Sequence, residues 1–367
     1  MLANFKVRNF RNFRDDIDLN FQNIKNYEFN EDAISNGIIK DAIFYGPNAA
    51  GKTSLGYALL DITLHMCDKN KQLDDYAHYT NLNSLDKTAH FEYTFQFEKG
   101  TVHYLYEKTG PLSVTREELS INGRKVIFSE SGQSPQTLLR GTEQLNIDFW
   151  DSNMSFVKYV LANTKLKTNE DVECALFYDF YNFVNHMLFF SSVNNNRYIG
   201  SATMQGSVCQ LIAEADQTEK LQNFLKEMGI FYQLETGLEG TKPNIYAKFN
   251  GGTVLLQDVW SSGTRALVGL FLWLTKAQKL SFMYLDEFDA YYHYEMAMAV
   301  VKYLKKMNVQ VILTSHNTNL MTNELLRPDC NFELRDNRIV SFADRTNKAL
   351  RKAHNIPKMY KAGAFNE

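Results

Sequence analysis

The sequence predicts an α/β fold that combines a mixed sheet, antiparallel strands and an inserted helical lobe. Three observations lead to this prediction. A short apolar run at residues 42–45 stops at a glycine-rich loop and is followed by a helical pattern. Residues 91–128 are rich in aromatic and β-branched residues and contain hairpin turns. Over residues 264–313, helical patterns alternate with apolar strands, which is typical of a parallel sheet with helices on its faces.

Residues 1–130 are predicted to form the N-terminal half of the core. Apolar and polar residues alternate on both sides of the turn NFRNF, which indicates a strand, a turn and a strand. Beyond the glycine-rich loop, apolar residues recur at helical spacing, so a helix should begin near Lys52. The antiparallel segment should turn at residues 99–100 and again at residues 122–123, where Asn-Gly is a strong hairpin signal.

The rest of the chain is predicted to hold a lobe, the second half of the core and a tail. Residues 131–240 contain few β-branched runs and several helix-like stretches, and we interpret them as a mainly helical lobe inserted into the core. Residues 241–345 return to strand signals and then alternate helices with apolar strands, which predicts the C-terminal half of the core. Residues 346–367 form a basic, amphipathic tail that could pack on the core as a helix.

Composition excludes several classes of protein. The chain has 367 residues, of which 44% are hydrophobic and 22% charged, so wholesale disorder is excluded. The net charge of -3 argues against a basic domain that coats nucleic acid, although a local basic patch would still fit. No apolar run approaches the ~18–20 residues of a membrane span, and the first residues lack a secretory h-region. We therefore expect a cytoplasmic protein without membrane contact.

The glycine-rich loop at residues 46–53 fits the phosphate-binding pattern G-x-x-x-x-G-K-[ST], the P-loop. Its glycines let several backbone N–H groups point into one concavity, and the following helix adds its positive N-terminal end. Lys52 is then expected to reach the β- and γ-phosphates of ATP, and the Thr53 hydroxyl to bind Mg²⁺. A chance glycine-rich turn is the alternative. The predicted nucleotide-binding residues of this segment are Gly46, Pro47, Asn48, Ala49, Ala50, Gly51, Lys52, Thr53 and Ser54.

An apolar strand predicted at residues 282–285 ends in two carboxylates. Asp286, at the carboxyl end of that strand, is placed to hold Mg²⁺ through water. Glu287 would then orient and polarise a water molecule for in-line attack on the γ-phosphate. A solvated acidic pair at the end of a strand is the alternative.

Two further segments could bind phosphate groups. Ser262 and Gly263 precede an apolar helix whose N-terminus favours anions, and an ordinary helix cap is the alternative. His316 follows a predicted strand at residues 309–313 and could hydrogen-bond a γ-phosphate, and a loop histidine with a structural partner is the alternative. The order of all four segments along the chain carries more information than any one of them.

That order resembles the ABC/SMC-type ATPases, which have a P-loop, an inserted lobe, a Ser-Ser-Gly signature, an Asp-Glu strand, a D-loop and a switch histidine. The resemblance implies a P-loop NTPase head of ABC/SMC type that converts ATP and water to ADP and phosphate with the help of Mg²⁺. Lys52, Glu287 and His316 would be its catalytic residues, and Asp289 would be the D-loop residue. The Q-loop glutamine of the family has no assigned counterpart.

In ABC/SMC-type ATPases the signature of one subunit caps the ATP on the P-loop of the other. The resemblance therefore implies that Ser262 and Gly263 act in trans, in a head-to-tail homodimer or a higher homo-oligomer. By family position, Arg11 or Phe13 would contact the adenine.

The segments GPNAAGKT, SSGTR and LRKAHNIPKMYKAGAF look like the AAA-family ATPases of the RloA/AbiLi group, OLD-like proteins of bacterial anti-phage loci. The resemblance implies a switch ATPase that controls a separate effector, a toxin or nuclease from the neighbouring gene, and a phage-derived trigger would fit. We expect no Toprim nuclease domain of the OLD type, since the chain leaves no room for one after residue 345. A RecF/SMC-like DNA-binding repair ATPase is the alternative, and whether nucleic acid is bound stays open.

Overall fold

The structure, a computed structural model, describes residues 1–67, 69, 76–147, 154–193, 197–200, 206–275 and 279–365. The described strands are β1 (Leu2–Arg8), β2 (Ile17–Asn20), β3 (Ile34–Ser35), β4 (Ile38–Ile39), β5 (Asp41–Tyr45), β6 (Ala89–Phe97), β7 (Gly100–Gly110), β8 (Ser113–Ile121), β9 (Arg124–Glu130), β10 (Gln136–Thr137), β11 (Met187–Ser191), β12 (Arg197–Gly200), β13 (Gln233–Glu239), β14 (Lys242–Phe249), β15 (Gly252–Leu255), β16 (Phe282–Asp286), β17 (Gln310–Ser315), β18 (Asn331–Arg335) and β19 (Arg338–Ser341). The described α-helices are α1 (Lys52–Cys67), α2 (Phe156–Asn163), α3 (Val172–Asn185), α4 (Val208–Glu214), α5 (Thr218–Glu227), α6 (Leu256–Val259), α7 (Ser262–Leu274), α8 (Tyr294–Lys305) and α9 (Ile356–Lys361). Within these ranges, none of the helices has both the length and the apolar surface needed to cross a bilayer.

The core sheet has seven strands in the order β12–β11–β16–β17–β5–β18–β19. Its five central strands run parallel, and the antiparallel β12 and β19 close the two edges. Strands β5, β16 and β17 are buried along their whole length, as their apolar runs predict. Because parallel strands end at the same edge of a sheet, the loops that follow these three strands lie together.

A second sheet is antiparallel and has the order β10–β9–β8–β7–β6–β1–β2. Its hairpins follow the predicted pattern closely. The turn between β8 and β9 lies at Asn122 and Gly123, which both have positive φ (50° and 81°), as the mirror-image turns of hairpins require. The two sheets together confirm the predicted α/β class with a mixed sheet and antiparallel strands.

Helix α1 lies between the two sheets, and all but two of its residues are buried. On the side of the core sheet, Gly56 packs so closely on the ring of Tyr284 that a Cβ would lie 2.6 Å from it. On the side of the antiparallel sheet, Lys108 of β7 forms an ion pair with Asp61 at 2.7 Å, and both side chains are fully buried. The helix that follows the P-loop is therefore held from both sides.

The segment 131–240 differs from the predicted lobe. It contains helices α2 to α5, but β11 and β12 are strands of the core sheet, and β13 pairs with β14 across the predicted boundary at residue 240. Helix α3 ends at Asn185, and the apolar run that follows it continues as β11. A short apolar run without alternation fits a helix and a buried strand equally well, so periodicity alone could not separate the two.

The C-terminal tail packs on the core through a short helix and buried apolar side chains. Ile356 begins helix α9, and Phe365 packs its ring 5.1 Å from the ring of Phe342. The hydroxyl of Tyr360 donates a hydrogen bond to Glu333 of β18 at 2.8 Å. These contacts attach residues beyond 345 to the edge of the core sheet, in keeping with the packing that an amphipathic tail predicts.

Candidate active site

The P-loop connects the carboxyl end of β5 to the first turn of α1. Gly46 has no room for a side chain, because a Cβ there would collide with the carbonyl oxygen of Leu334 in the neighbouring strand. Ala49 and Gly51 have positive φ (62° and 102°), so the backbone curls on itself between the strand and the helix. The loop thereby forms a concavity of backbone groups at the N-terminus of a 16-residue helix, an arrangement that favours phosphate.

Lys52 spans this concavity. Its Nζ donates hydrogen bonds to the carbonyl oxygens of Gly46 at 2.9 Å and Pro47 at 3.2 Å, so the two residues at the start of the loop contact the lysine. Burial lowers the pKa of Lys52 below its usual value, although the carboxylates of Glu287 and Asp286 partly oppose this effect. A cation held among neutral carbonyl groups is available to an anionic ligand.

Asp286 is the centre of a row of hydrogen-bonded oxygen atoms at the end of β16. The Thr53 hydroxyl donates to its Oδ2 at 2.8 Å, and the Thr314 hydroxyl donates to its Oδ1 at 2.9 Å. Burial raises the pKa of Asp286 above its usual value, and the two hydroxyl donors partly oppose the rise. One carboxylate and one hydroxyl at the mouth of a phosphate-binding loop are hard oxygen ligands that fit Mg²⁺.

The side chains of Glu287 and His316 lie next to each other in the lining of the cavity in front of the P-loop. Glu287 has φ of +47°, and its N–H donates to the Thr314 hydroxyl at 2.7 Å. Its Oε1 lies 3.5 Å from Nε2 of His316. Both side chains are about one third exposed, so they are in contact with solvent while they border the loop. A carboxylate held in this way can orient a water molecule in front of the P-loop.

Asp289 is not among the residues that line the cavity in front of the P-loop. Its Oδ2 accepts a hydrogen bond from the Ser315 hydroxyl at 2.8 Å, and burial raises its pKa. Because Ser315 precedes His316, the contact connects the loop after β16 to the loop after β17. The hydrogen bond between Ser315 and Asp289 thus links the predicted D-loop to the segment of the predicted switch histidine.

The cavity in front of the P-loop has a volume of about 290 Å³. Most of the predicted site residues line it, so the structure brings together motifs that lie far apart in the chain. Its lining consists of Asn12, Asn48, Ala49, Ala50, Gly51, Lys52, Thr53, Ser54, Glu287 and His316.

Ser262 and Gly263 are not among the residues that line this cavity. The helix cap of α7 is the preceding Ser261, whose hydroxyl accepts a hydrogen bond from the N–H of Thr264 at 3.1 Å. Ser262 is exposed at the start of the helix. A Cβ on Gly263 would lie 2.9 Å from the carbonyl oxygen of Tyr291, so glycine permits a close approach of two backbones there. Of the two predicted signature residues, Ser262 is therefore exposed and Gly263 is half-buried.

Asn12 and Thr314 belong to the site but were missed from the sequence. Asn12 accepts a hydrogen bond from the Ser54 hydroxyl at 2.6 Å and lines the cavity. It also borders a second cavity of about 410 Å³, whose other lining residues are Arg11, His78, Thr80, Asn81, Leu82 and Asn83. Asn12 could have been identified from its position in the first turn, because it lies between Arg11 and Phe13, the two residues considered as adenine contacts.

Of those two residues, only Arg11 faces a cavity. Its guanidinium lies 4.5 Å from the centroid of the Tyr57 ring, and its carbonyl oxygen accepts from the Asn81 amide at 2.6 Å. Phe13 is fully buried, because its ring packs under the P-loop and would lie 3.1 Å from a Cβ on Gly51. Phe13 therefore supports the loop from below and presents no free face to a nucleotide.

Comparison with known proteins gives one family and a group of distant structures. Residues 169–322 match the family described as AAA domain, putative AbiEii toxin, Type IV TA system. The SMC head domain from Thermotoga maritima is 17% identical with a TM-score of 0.46, over 93% of this chain and 97% of that chain. An Smc head domain with an extended coiled coil bound to the C-terminal domain of ScpA, derived from Pyrococcus furiosus, is 13% identical with a TM-score of 0.47, over 93% of this chain and 96% of that chain. No curated protein sequence matches the chain.

The family match covers the segment that contains α7, the acidic end of β16 and His316. The P-loop lies outside the matched segment, but the hydrogen bond between Thr53 and Asp286 joins the two parts of the chain. Residues 169–322 are therefore similar to an AAA domain, and a side-chain contact joins that segment to the P-loop.

Proposed function

We propose that this protein is a cytosolic switch ATPase that closes as a head-to-tail dimer around two ATP molecules and opens when they are hydrolysed. The observation that carries the proposal is the separation of two half-sites. Lys52, Glu287 and His316 border one cavity, whereas the exposed Ser262 and the half-buried Gly263 lie outside its lining. A second copy that places its α7 N-terminus over the first cavity would complete the site.

In the proposed bound state, the P-loop N–H groups hold the phosphates of ATP. Lys52 exchanges its carbonyl partners for the β- and γ-phosphate oxygens, which are stronger acceptors for an ammonium group. Thr53 and Asp286 hold Mg²⁺, which when bound neutralises charge on the phosphate oxygens. The second cavity, reached past Asn12, has the position and the polar lining to receive the ribose and the base.

For hydrolysis, Glu287 orients the attacking water and accepts its proton. The hydrogen bond from the Glu287 N–H to Thr314 fixes the left-handed backbone that turns the carboxylate toward the P-loop. His316 lies near enough to Glu287 to hydrogen-bond the γ-phosphate from the same side. Asp289 positions the His316 loop through Ser315.

The cellular role that we propose is control of a separate effector, a toxin or nuclease encoded beside this gene, in anti-phage defence. The description of the matched family, which names a putative AbiEii toxin, supports a setting of this kind. ATP binding would favour the closed dimer, and the effector would be held or released according to that state. A ligand shifts such an equilibrium only by its difference in affinity for the two states, so a few kcal/mol are sufficient.

Mixing two inactive variants tests whether Ser262 of one subunit acts on the ATP bound by the other. Lys52→Ala removes the phosphate contact but keeps its signature, and Ser262→Arg blocks its signature but keeps its P-loop. Neither variant alone should release phosphate at the wild-type rate, but their mixture contains one intact site per mixed dimer and should recover activity. A mixture that stays inactive, or Ser262→Arg with full activity on its own, would contradict the proposed dimer.

The catalytic base is tested with Glu287→Gln, which should slow phosphate release by about 100-fold or more while ATP still binds. Light scattering after size-exclusion chromatography should then find an ATP-dependent dimer that persists. Glu324→Gln, at an exposed carboxylate outside the cavity, is the matched control. If hydrolysis instead rises with added DNA and falls with salt, the RecF/SMC-like repair function is favoured over the effector switch.

A further inference from the structure

Two buried hydroxyl groups at the end of β11 lack hydrogen-bond partners. Ser191 is 1% exposed and Ser192 is 3% exposed. Neither Oγ has a partner among the residues that the structure describes. A hydroxyl that is buried without a hydrogen bond is unfavourable and uncommon in folded proteins. Its presence therefore requires a reason.

The position of Ser191 in the core sheet gives that reason for one of the two. Strand β11 runs parallel to β16, and Ser191 is in register with Asp286. Neighbouring strands lie about 4.8 Å apart, and residues in register present their side chains on the same face of a sheet. Ser191 is thus beside Asp286, whose carboxylate accepts a hydrogen bond from the Thr53 hydroxyl.

The face that they share is the face covered by α1. Two residues earlier, Phe189 and Tyr284 are also in register, and their rings stack with centroids 5.8 Å apart. Both rings contact the helix at Gly56, where a Cβ would lie within 2.7 Å of each of them. Since side chains alternate with a period of two, Ser191 and Asp286 point toward the same helix, at the end where Thr53 lies.

The two strands that flank Asp286 differ in whether their hydroxyl groups are hydrogen-bonded. On one side, Thr314 of β17 donates to Asp286 at 2.9 Å and accepts from Glu287 at 2.7 Å. On the other side, Ser191 of β11 has both its donor and its acceptor capacity free among the described residues. The hydroxyl of Thr314 on one side of Asp286 is therefore fully hydrogen-bonded, whereas the hydroxyl of Ser191 on the other side has no partner among the described residues.

We infer that the Ser191 hydroxyl hydrogen-bonds a water molecule in the coordination shell of the divalent cation held by Thr53 and Asp286. Mg²⁺ retains several waters when proteins bind it, and such waters need acceptors around them. Ser191 is one strand farther from Thr53 than Asp286 is, so it reaches the cation through water rather than as a direct ligand. The inference rests on the proposed binding of Mg-ATP.

Ser192 is the matched control that the chain provides. It is similarly buried and also unpartnered among the described residues, but it follows the last residue of β11 and has no register partner in β16. Replacement of either serine by alanine removes an unpartnered polar atom without adding volume. Both variants should therefore fold, and each should melt at or slightly above the wild-type temperature without nucleotide.

The test is a Mg²⁺ titration of the full chain with a fluorescent, non-hydrolysable ATP analogue. In EDTA, Ser191→Ala should bind the analogue as tightly as the wild type. With Mg²⁺, the half-saturating cation concentration should rise about tenfold, the usual effect of losing a partner of the coordination shell. Ser192→Ala should titrate as the wild type does, and Ser191→Thr, which keeps the hydroxyl, should restore most of the affinity.

Two results would overturn the inference. One is a Ser191→Ala curve that superimposes on the wild-type curve, and the other is an equal shift in Ser192→Ala. A wild-type chain that binds the analogue in neither condition would instead overturn the proposed function, and the role of Ser191 with it. The electron paramagnetic resonance signal of bound Mn²⁺, recorded with the same analogue, gives a second readout that does not depend on hydrolysis.

Discussion

Thr314→Val tests how Asp286 and Glu287 are positioned. The substitution keeps the shape of a fully buried side chain and removes one hydroxyl. That hydroxyl donates to the Asp286 carboxylate at 2.9 Å and accepts from the Glu287 N–H at 2.7 Å. The variant therefore removes the hydrogen-bond partner of the Asp286 Oδ1 and of the Glu287 N–H, at the two residues to which we assign the cation and the attacking water.

The size of the effect follows from these two contacts. A hydrogen bond to a charged group contributes about 1.5–3 kcal/mol, and a neutral one contributes about 0.5–1.5 kcal/mol. Their sum is about 2–4.5 kcal/mol, and each 1.36 kcal/mol expressed in the transition state changes the rate about tenfold. We therefore expect phosphate release to fall by about 30- to 2000-fold.

The assay is steady-state phosphate release, combined with urea unfolding of the same samples. Unfolding measures the part of the loss that appears as lower stability of the folded chain, and the kinetic constant measures the remainder. Thr314→Ser, which keeps the hydroxyl, should stay close to the wild type in both. A Thr314→Val protein that releases phosphate within twofold of the wild-type rate would refute the positioning role.

Two further predictions concern stability. Lys108→Met should lower the free energy of unfolding in urea by about 3–5 kcal/mol, because Asp61 is left buried without its ion partner. Adding Asp61→Leu should restore part of that loss, and a double variant less stable than the single one would contradict this account. Burial raises the pKa of Asp41 to about 7, so the folded chain keeps a proton that the unfolded chain loses near pH 4. Stability should therefore fall as pH rises from about 4 to 7. Asp41→Asn should remove this slope in thermal melts, and identical slopes for both proteins would contradict it.

The parts of the site that the sequence could predict are those whose chemistry lies in a short stretch of chain. The P-loop at residues 46–53 needs only its own glycines, lysine and threonine, together with a strand before it and a helix after it. Asp286 and Glu287 likewise follow directly from an apolar run that ends in two acids. The structure brings both motifs to one cavity, at the edge of the core sheet where β5 and β16 end.

The parts that could not be predicted depend on which strands are neighbours. Thr314 and Ser191 flank Asp286 only because β17 and β11 pair with β16 on either side. Nothing in the local composition of these strands specifies that order, and β11 itself resembled a continuation of helix α3. Asn12 was missed for the same reason, since its contact with Ser54 joins the N-terminal turn to a helix whose position depends on both sheets.

The enclosure of α1 between two sheets has a mechanical consequence. Helix α1 packs on the core sheet at Gly56 and is ion-paired to the antiparallel sheet at Asp61. A tilt of the helix would therefore disturb its contacts with both sheets. A displacement that ATP imposes on Lys52 would therefore be transmitted through the helix to the strands that pack against it. Both sheets should consequently melt in a single calorimetric transition, and loading with nucleotide should raise the temperature of that transition as a whole.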